Sequence, residues 1–506
     1  MSAALDQEAR TALERFVQRA RQILEGDLSR EAEGRLGIHI ADGAVEDEAG
    51  LHLDPSGLAA RRDIVEILDF LRREERSGAD AVARLIREAA FTHLNRLLAI
   101  RIAEAIDLLP ESLAKGATSA GFRELLEVAP LLAHESAGGY WRYLQLCGDE
   151  LAADLPQLFD PRNPLLELAP TPAALGELVE MIGSADLRHV WDAPDALGWT
   201  YQFFNSGDER RAMREESASP RNSRELAVRN QFFTPRYVVD FLVHNSLGRR
   251  LLEADPTSGL ADYLPLLLDP PTEQGAPLAL DDVRVLDPAC GSGHFLLGAY
   301  DVLERAWELQ GVKPSDSARK IVASLWGIDI DSRCSQVAAV AVILRARRHC
   351  KTDVLPVPNI ITARALPEPT EGWDTLLDAL PHDRRQLVTS IRDALDRAPV
   401  LGPLLKVEGL LATEIRSHVV GADDDASTLF GASGIANDAF GRAESDVLAV
   451  LQRVADNATS GPADRLFAAE AQDAIRFVEA MRHRYDTCLM NPPFGLGVNA
   501  AEPYLR

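Results

Sequence analysis

The stretch Val283-Arg-Val-Leu-Asp-Pro-Ala-Cys-Gly-Ser-Gly293 admits few folds. Residues 283–286 read as a short apolar strand. A strand that turns this sharply into a helix needs glycine where no Cβ is tolerated and where a ligand approaches the backbone. Residues 294–310 then carry helical spacing. A second strand, 324–330, ends in the acids of Gly327-Ile-Asp-Ile-Asp331 and leads into a helix over 332–348. Residues 359–362 and 487–490 supply a third and a fourth strand. Strands alternating with helices predict parallel βαβ units, hence an α/β fold with a doubly wound sheet.

Ahead of the sheet the periodicity is different. Apolar residues recur at three- and four-residue steps over 5–24, 61–73, 81–109 and 173–182, predicting a helical N-terminal domain at 1–200. The run 86–104 reads as an amphipathic core helix, in which only Asn95 and Arg96 have more to offer than packing. A link follows over 205–230, where Arg210, Arg211, Arg214, Arg221, Arg224 and Arg229 alternate with Asp208, Glu209, Glu215, Glu216 and Glu225. Such mixed charge favours a solvated segment over a phosphate-binding strip. The first part of the sheet occupies 201–366, a helical insert 367–485, and the last strand with its turn 486–506.

Charge and cysteine usage narrow the function classes. The 506 residues include 78 acidic and 53 basic side chains, a formal charge of −25. That excludes a uniformly basic nucleic-acid binder, so any such contact is confined to a groove or left to a partner. The N-terminus lacks the basic start and apolar run of a secretory signal, and no apolar stretch approaches the ~18 residues that span a bilayer. Cys147, Cys290, Cys334, Cys350 and Cys488 form no Cys-x-x-Cys pair, so neither a zinc site nor a disulfide framework is expected. Scattered single thiols fit the cytoplasm.

Three elements carry chemistry. The Asp287-Pro-Ala-Cys-Gly-Ser-Gly293 turn opens a helix whose free N–H groups suit an anionic group. Its acid and proline distinguish it from the Gly-x-Gly-x-x-Gly of dinucleotide folds, and the form is typical of S-adenosylmethionine sites. Asp329, at the end of the next strand, is placed to accept both hydroxyls of a ribose; the helix N-cap role suits Asp331 or Ser332 better. Met490-Asn-Pro-Pro-Phe494 follows the fourth strand. Consecutive prolines stiffen the turn and expose carbonyls. The Asn491 side-chain oxygen and one such carbonyl can accept both hydrogens of an exocyclic amino group, while Phe494 stacks on the base that carries it. This suits methyl transfer to a conjugated amino nitrogen with no strong base, because the proton leaves after attack.

In this order the motifs resemble those of N6-adenine DNA methyltransferases. Gln231-Phe-Phe-Thr-Pro-Arg-Tyr-Val-Val239 is similar to the element that precedes the glycine turn in the gamma-ordered members. Phe91-Thr-His-Leu-Asn-Arg-Leu-Leu-Ala-Ile-Arg101, Gly198-Trp-Thr-Tyr-Gln-Phe-Phe-Asn205, Phe241-Leu-Val-His-Asn-Ser-Leu-Gly-Arg249 and Leu401-Gly-Pro-Leu-Leu-Lys-Val407 narrow this to the PglX methyltransferases of BREX phage-defence systems, with DISARM methyltransferases as close relatives. The resemblance runs from about residue 84 to 494. It implies that Thr234, Pro235, Asp287, Ala289, Gly291 and Gly293 line the methionine end of S-adenosyl-L-methionine and Asp329 its ribose. It also implies that Asn491, Pro492, Pro493 and Phe494 hold an adenine flipped out of double-stranded DNA. Where relatives often place an acid near the cofactor's adenine, this chain has Arg364, so no residue is assigned to that contact.

Two alternatives stand beside a DNA adenine methyltransferase. One is an RNA or protein-glutamine methyltransferase, which the Phe-Thr-Pro element and the long helical region disfavour. The other is a truncated or split cofactor-binding subunit, since only four strands are legible and no target-recognition segment follows. On that second reading the polypeptide alone binds DNA weakly, methylates poorly, and works with a separate C-terminal half or with other defence subunits.

Overall fold

A computed structural model describes residues 5–75, 77–161, 163–193, 195–205, 211, 213, 215, 229, 234–363, 472–474, 476–481 and 483–491. Most of the link beyond 205, most of the insert, Arg364, Pro492, Pro493 and Phe494 lie outside them.

The N-terminal region is helical: α1 (Gln7–Gly34), α2 (Pro55–Glu74), α3 (Gly78–Ala105), α4 (Ala120–Val128), α5 (Tyr140–Leu151), α6 (Pro156–Phe159), α7 (Pro172–Ile182) and α8 (Ala196–Phe204). Side-chain caps start several of these. Asp6, Asp54, Ser77 and Thr171 accept from backbone N–H groups of their own first turns, satisfying donors that would otherwise be orphaned. The amphipathic reading of α3 needs correcting: residues 89 to 95 are all buried, so the helix has no solvent face there. It is enclosed by α1, α2, α5 and α8 and by a helix of the α/β region, and a helix hydrophobic all round belongs in a core. Arg96 donates to the Leu158 carbonyl at 3.0 Å and stacks on Phe159, a packing role. The boundary expected at residue 200 falls inside α8.

The second region begins with α9 (Arg236–Val243), a π-helical turn over His244–Gly248 and α10 (Arg249–Ala254). It continues through β1 (Val285–Asp287), α11 (His294–Leu309), α12 (Pro314–Ser324), β2 (Leu325–Asp329), α13 (Ser332–Arg347), β3 (Asn359–Thr362) and β4 (Thr487–Cys488). The four strands are parallel in the order β3-β2-β1-β4. Growth runs outward from β1 to β3, then β4 returns to the far side of β1. The crevice between β1 and β4 at their carboxyl ends is therefore the switch point where α/β sheets bind ligands.

The two regions share one hydrophobic core. Polar ties reinforce the junction: Arg347 on α13 donates to Asp154 at 2.6 Å, and Arg348 reaches the Asp192 carbonyl. Among the described residues no helix is long and apolar enough to cross a membrane.

Candidate active site

The glycine turn begins at Asp287, the last residue of β1, which is 1% exposed. Its Oδ1 accepts from the Ala289 amide at 3.2 Å, while its buried Oδ2 has no hydrogen-bond partner. Burial pushes this carboxyl well above the usual range, and nearby Asp329 adds to the effect. A buried acceptor without a donor is costly unless a ligand supplies one. Gly291 and Gly293 both have positive φ, +52° and +85°. A Cβ on Gly293 would lie 3.1 Å from the Ala338 Cβ, so this glycine lets the turn press onto α13; one on Gly291 would meet nothing within 4 Å, so its open side faces free space. Cys290 is buried, which raises its thiol pKa and leaves it protonated, no candidate for a nucleophile.

Asp329, the last residue of β2, leans across to this turn. Its Oδ2 accepts from the Gly291 amide and its Oδ1 from the Asp331 amide, both at 2.8 Å. A carboxylate has about four lone-pair sites, so these two bonds leave capacity for a further ligand. Burial lifts its pKa to about 6; the backbone N–H bonds pull the other way and the negative Asp331 adds to the rise. Two residues on, Asp331 caps α13 by accepting from the Arg333 amide at 2.9 Å, so of Asp331 and Ser332 it is Asp331 that takes the cap.

Thr234 and Pro235 stand at the start of α9. Arg236 holds that start in place, donating to Asp240 at 2.7 Å and to Asp301 on α11 at 2.9 Å. Gly298 lets α9 lie close, since a Cβ there would fall 2.8 Å from Val239. Thr234 is buried and Pro235 exposed. From the other side of the sheet, Leu489 donates to the Leu286 carbonyl at 2.9 Å, which docks the end of β4 against β1. Asn491 then donates its amide Nδ2 to the Thr234 hydroxyl at 3.0 Å across 257 residues of sequence. Of the residues singled out from sequence, Asp287 is tied to Ala289 and Asp329 to Gly291 on one side, Gly293 presses on α13, and Asn491 reaches Thr234, next to Pro235, on the other. Among the described residues no group of three or more His, Cys, Asp or Glu could hold a metal.

The sequence reading missed Tyr201 on α8. Its hydroxyl donates to Asp331 Oδ2 at 2.7 Å, tying the helical region to the loop after β2. The resemblance over residues 198–205 already marked that helix, but nothing in it indicated the partner.

Residues 277–402 match the family described as MmeI, DNA-methyltransferase domain. The chain is 30% identical over 303 residues to the adenine-specific methyltransferase BrxX of Escherichia coli O9:H4 (strain HS), covering 52% of this chain and 24% of that protein. It is 26% identical over 431 residues to the adenine-specific methyltransferase PglX of Lacticaseibacillus casei (strain Zhang), covering 76% of this chain and 35% of that one. The chain thus spans about a quarter to a third of the length of these curated relatives. Among solved structures, that of a DrdV–DNA complex aligns with a TM-score of 0.33 at 16% identity, over 71% of this chain and 26% of that chain. With its parallel sheet, its glycine turn and these sequence matches, the chain resembles the PglX and BrxX adenine-specific methyltransferases.

Proposed function

We propose that this chain supplies the cofactor-binding wall and the catalytic Asn-Pro-Pro-Phe turn of an S-adenosylmethionine-dependent DNA adenine-N6 methyltransferase in a BREX-like phage-defence system. The observation that carries the reading is the Asn491–Thr234 hydrogen bond beside β1. It joins the Thr-Pro element to the catalytic motif at the switch point of the sheet.

The residues on the wall suit the cofactor. The unpartnered Oδ2 of Asp287 is a ready acceptor for the ammonium of an amino-acid group, and the spare lone pairs of Asp329 suit ribose hydroxyls. Gly291 adds no side chain where its open side faces free space. When bound, S-adenosylmethionine supplies an electrophilic sulfonium methyl. Asn491 commits its Nδ2 to Thr234, which leaves Oδ1 free to accept from the adenine amino group. On this reading Pro492 or Pro493 would offer a backbone carbonyl to the second hydrogen and Phe494 its ring to the base. Held in this way, the amino nitrogen has its lone pair drawn out of conjugation and directed at the methyl carbon. The N–C bond would form as the methyl–sulfur bond breaks, the sulfonium leaving as a neutral thioether, and the nitrogen would then give up its proton to solvent. DNA is the substrate of the reading, and further defence subunits are its expected partners.

The test separates binding from transfer. Asn491→Ala should leave the Kd for S-adenosylmethionine within about twofold and cut labelled methyl transfer to adenine in double-stranded DNA by at least about 100-fold, as for loss of one oriented polar contact to the reacting group. Transfer that survives the substitution overturns the role of Asn491. Label recovered in RNA or on a glutamine amide would assign the other substrate class.

A further inference from the structure

We propose that the helical N-terminal region is a working part of the cofactor crevice, with Tyr201 as a positioning residue that sets Asp329 through Asp331. The proposal rests on the reading of the crevice as the S-adenosylmethionine site.

The connection can be followed atom by atom. Tyr201 is 2% exposed, and its hydroxyl donates to Asp331 Oδ2 at 2.7 Å. Arg333 grips the same carboxylate with two prongs, Nη2 to Oδ2 at 2.8 Å and Nε to Oδ1 at 3.1 Å. The guanidinium lies over Phe91 of α3 at 5.7 Å and over Tyr201 at 5.8 Å, so two N-terminal helices frame it. Asp331 is therefore held by Tyr201 and Arg333 together, and its backbone N–H is aimed at Asp329 Oδ1, 2.8 Å away. Asp329 passes the constraint on through Oδ2 to the Gly291 amide at 2.8 Å. The relay starts on α8 and ends in the glycine turn.

A second contact reaches the same turn by another route. Gly198 lies one helical turn before Tyr201, and a Cβ there would fall 2.7 Å from His294 Cε1 and 2.8 Å from Ser292 Oγ. Helix α8 is thus seated directly on residues 292 and 294 while its tyrosine holds the loop after β2. Both loops that wall the crevice are touched by one N-terminal helix. If α8 served only as scaffold, apolar packing would suffice. Instead, a bonded path from its tyrosine ends on the carboxylate assigned to the ribose.

The experiment uses the full chain and Tyr201→Phe, which keeps the ring and removes only the hydroxyl. S-adenosylmethionine affinity is measured by titration calorimetry across pH, beside amide hydrogen exchange at Gly291 and Asp331. The expected result is a three- to tenfold weaker Kd, an acid limb of binding displaced to higher pH, and faster exchange at both amides. The displacement follows because an Asp331 charge less well neutralised raises the Asp329 pKa further. A purely structural role would lower the melting temperature and leave the acid limb where it is. If the wild type binds, Asp329→Asn loses binding, and Tyr201→Phe matches wild type in Kd and pH profile, the crevice stands and the role of Tyr201 is overturned. If the wild type takes up no cofactor, the reading of the crevice fails and the positioning role with it.

Discussion

The loop after β2 has two sides that face different regions, and its two aspartates differ accordingly. Asp331 faces the helical region. Burial works against its charge, but Arg333 and the Tyr201 hydroxyl more than offset that, and its pKa lies below the usual carboxylate range. Asp329 faces the crevice, has only backbone N–H groups for partners, and is lifted to about 6. Two acids of the same strand end are thus tuned in opposite directions. The partnered one ties the strand end to the helical region, while the raised one is left with lone pairs that no side chain occupies.

The largest effect should come from breaking the structural side. Asp331→Ala leaves the Arg333 guanidinium, 5% exposed, buried without its hydrogen-bonded carboxylate, with Glu88 the remaining acid that favours its charge. A loss of about 3–5 kcal/mol in urea unfolding is expected; a loss under about 1 kcal/mol would mean the ion pair is incidental.

The next prediction sharpens the contrast through pH. Asp329 has a folded pKa of about 6 against 3.8 unfolded, so the folded chain holds its proton more tightly. Its contribution favours folding below pH 3.8 and is lost as the pH rises through about 6. Asp331 has the opposite sign: its contribution is present at neutral pH and lost on acidification. Between about pH 4 and pH 7, Asp329→Asn should therefore gain on the wild type by on the order of 2 kcal/mol. A difference between the two that stays constant with pH would refute the assignment.

The glycine turn gives effects of similar size or smaller. Gly293→Ala adds the contact with Ala338 to a positive φ and should cost about 2–3 kcal/mol in urea unfolding. Gly291→Ala, with open space around its Cβ, should cost only about 1 kcal/mol yet weaken S-adenosylmethionine binding more than Gly293→Ala does. Equal effects on binding would show that the open side of Gly291 is not where the ligand lies.

Local signals made much of this legible in sequence. The strand residues 359–362 coincide with β3, and the glycine turn sits where an acid-terminated strand meets a helix, because backbone geometry there leaves little choice. Position narrows the N-cap after β2 to Asp331 or Ser332, and the structure gives it to Asp331. What escaped depends on tertiary neighbours. The enclosure of α3 requires knowing that α8 and α13 cover the face that water would otherwise reach. The unpartnered Oδ2 of Asp287 and the Tyr201–Asp331 bond are properties of packed surfaces, and no spacing rule encodes them. The Asn491–Thr234 contact joins two motifs each legible alone, but their meeting depends on β4 returning to the far side of β1.

That return has a consequence for synthesis. Thr234 leaves the ribosome 257 residues before Asn491. At roughly 5–20 residues per second the interval is about 13 to 50 s. For most of it β1 has β2 on one side and an unpaired edge on the other, the kind of edge that recruits stray strands. The chain is therefore most exposed to misassembly while it is still being translated, and conditions that slow elongation through the insert lengthen that exposure.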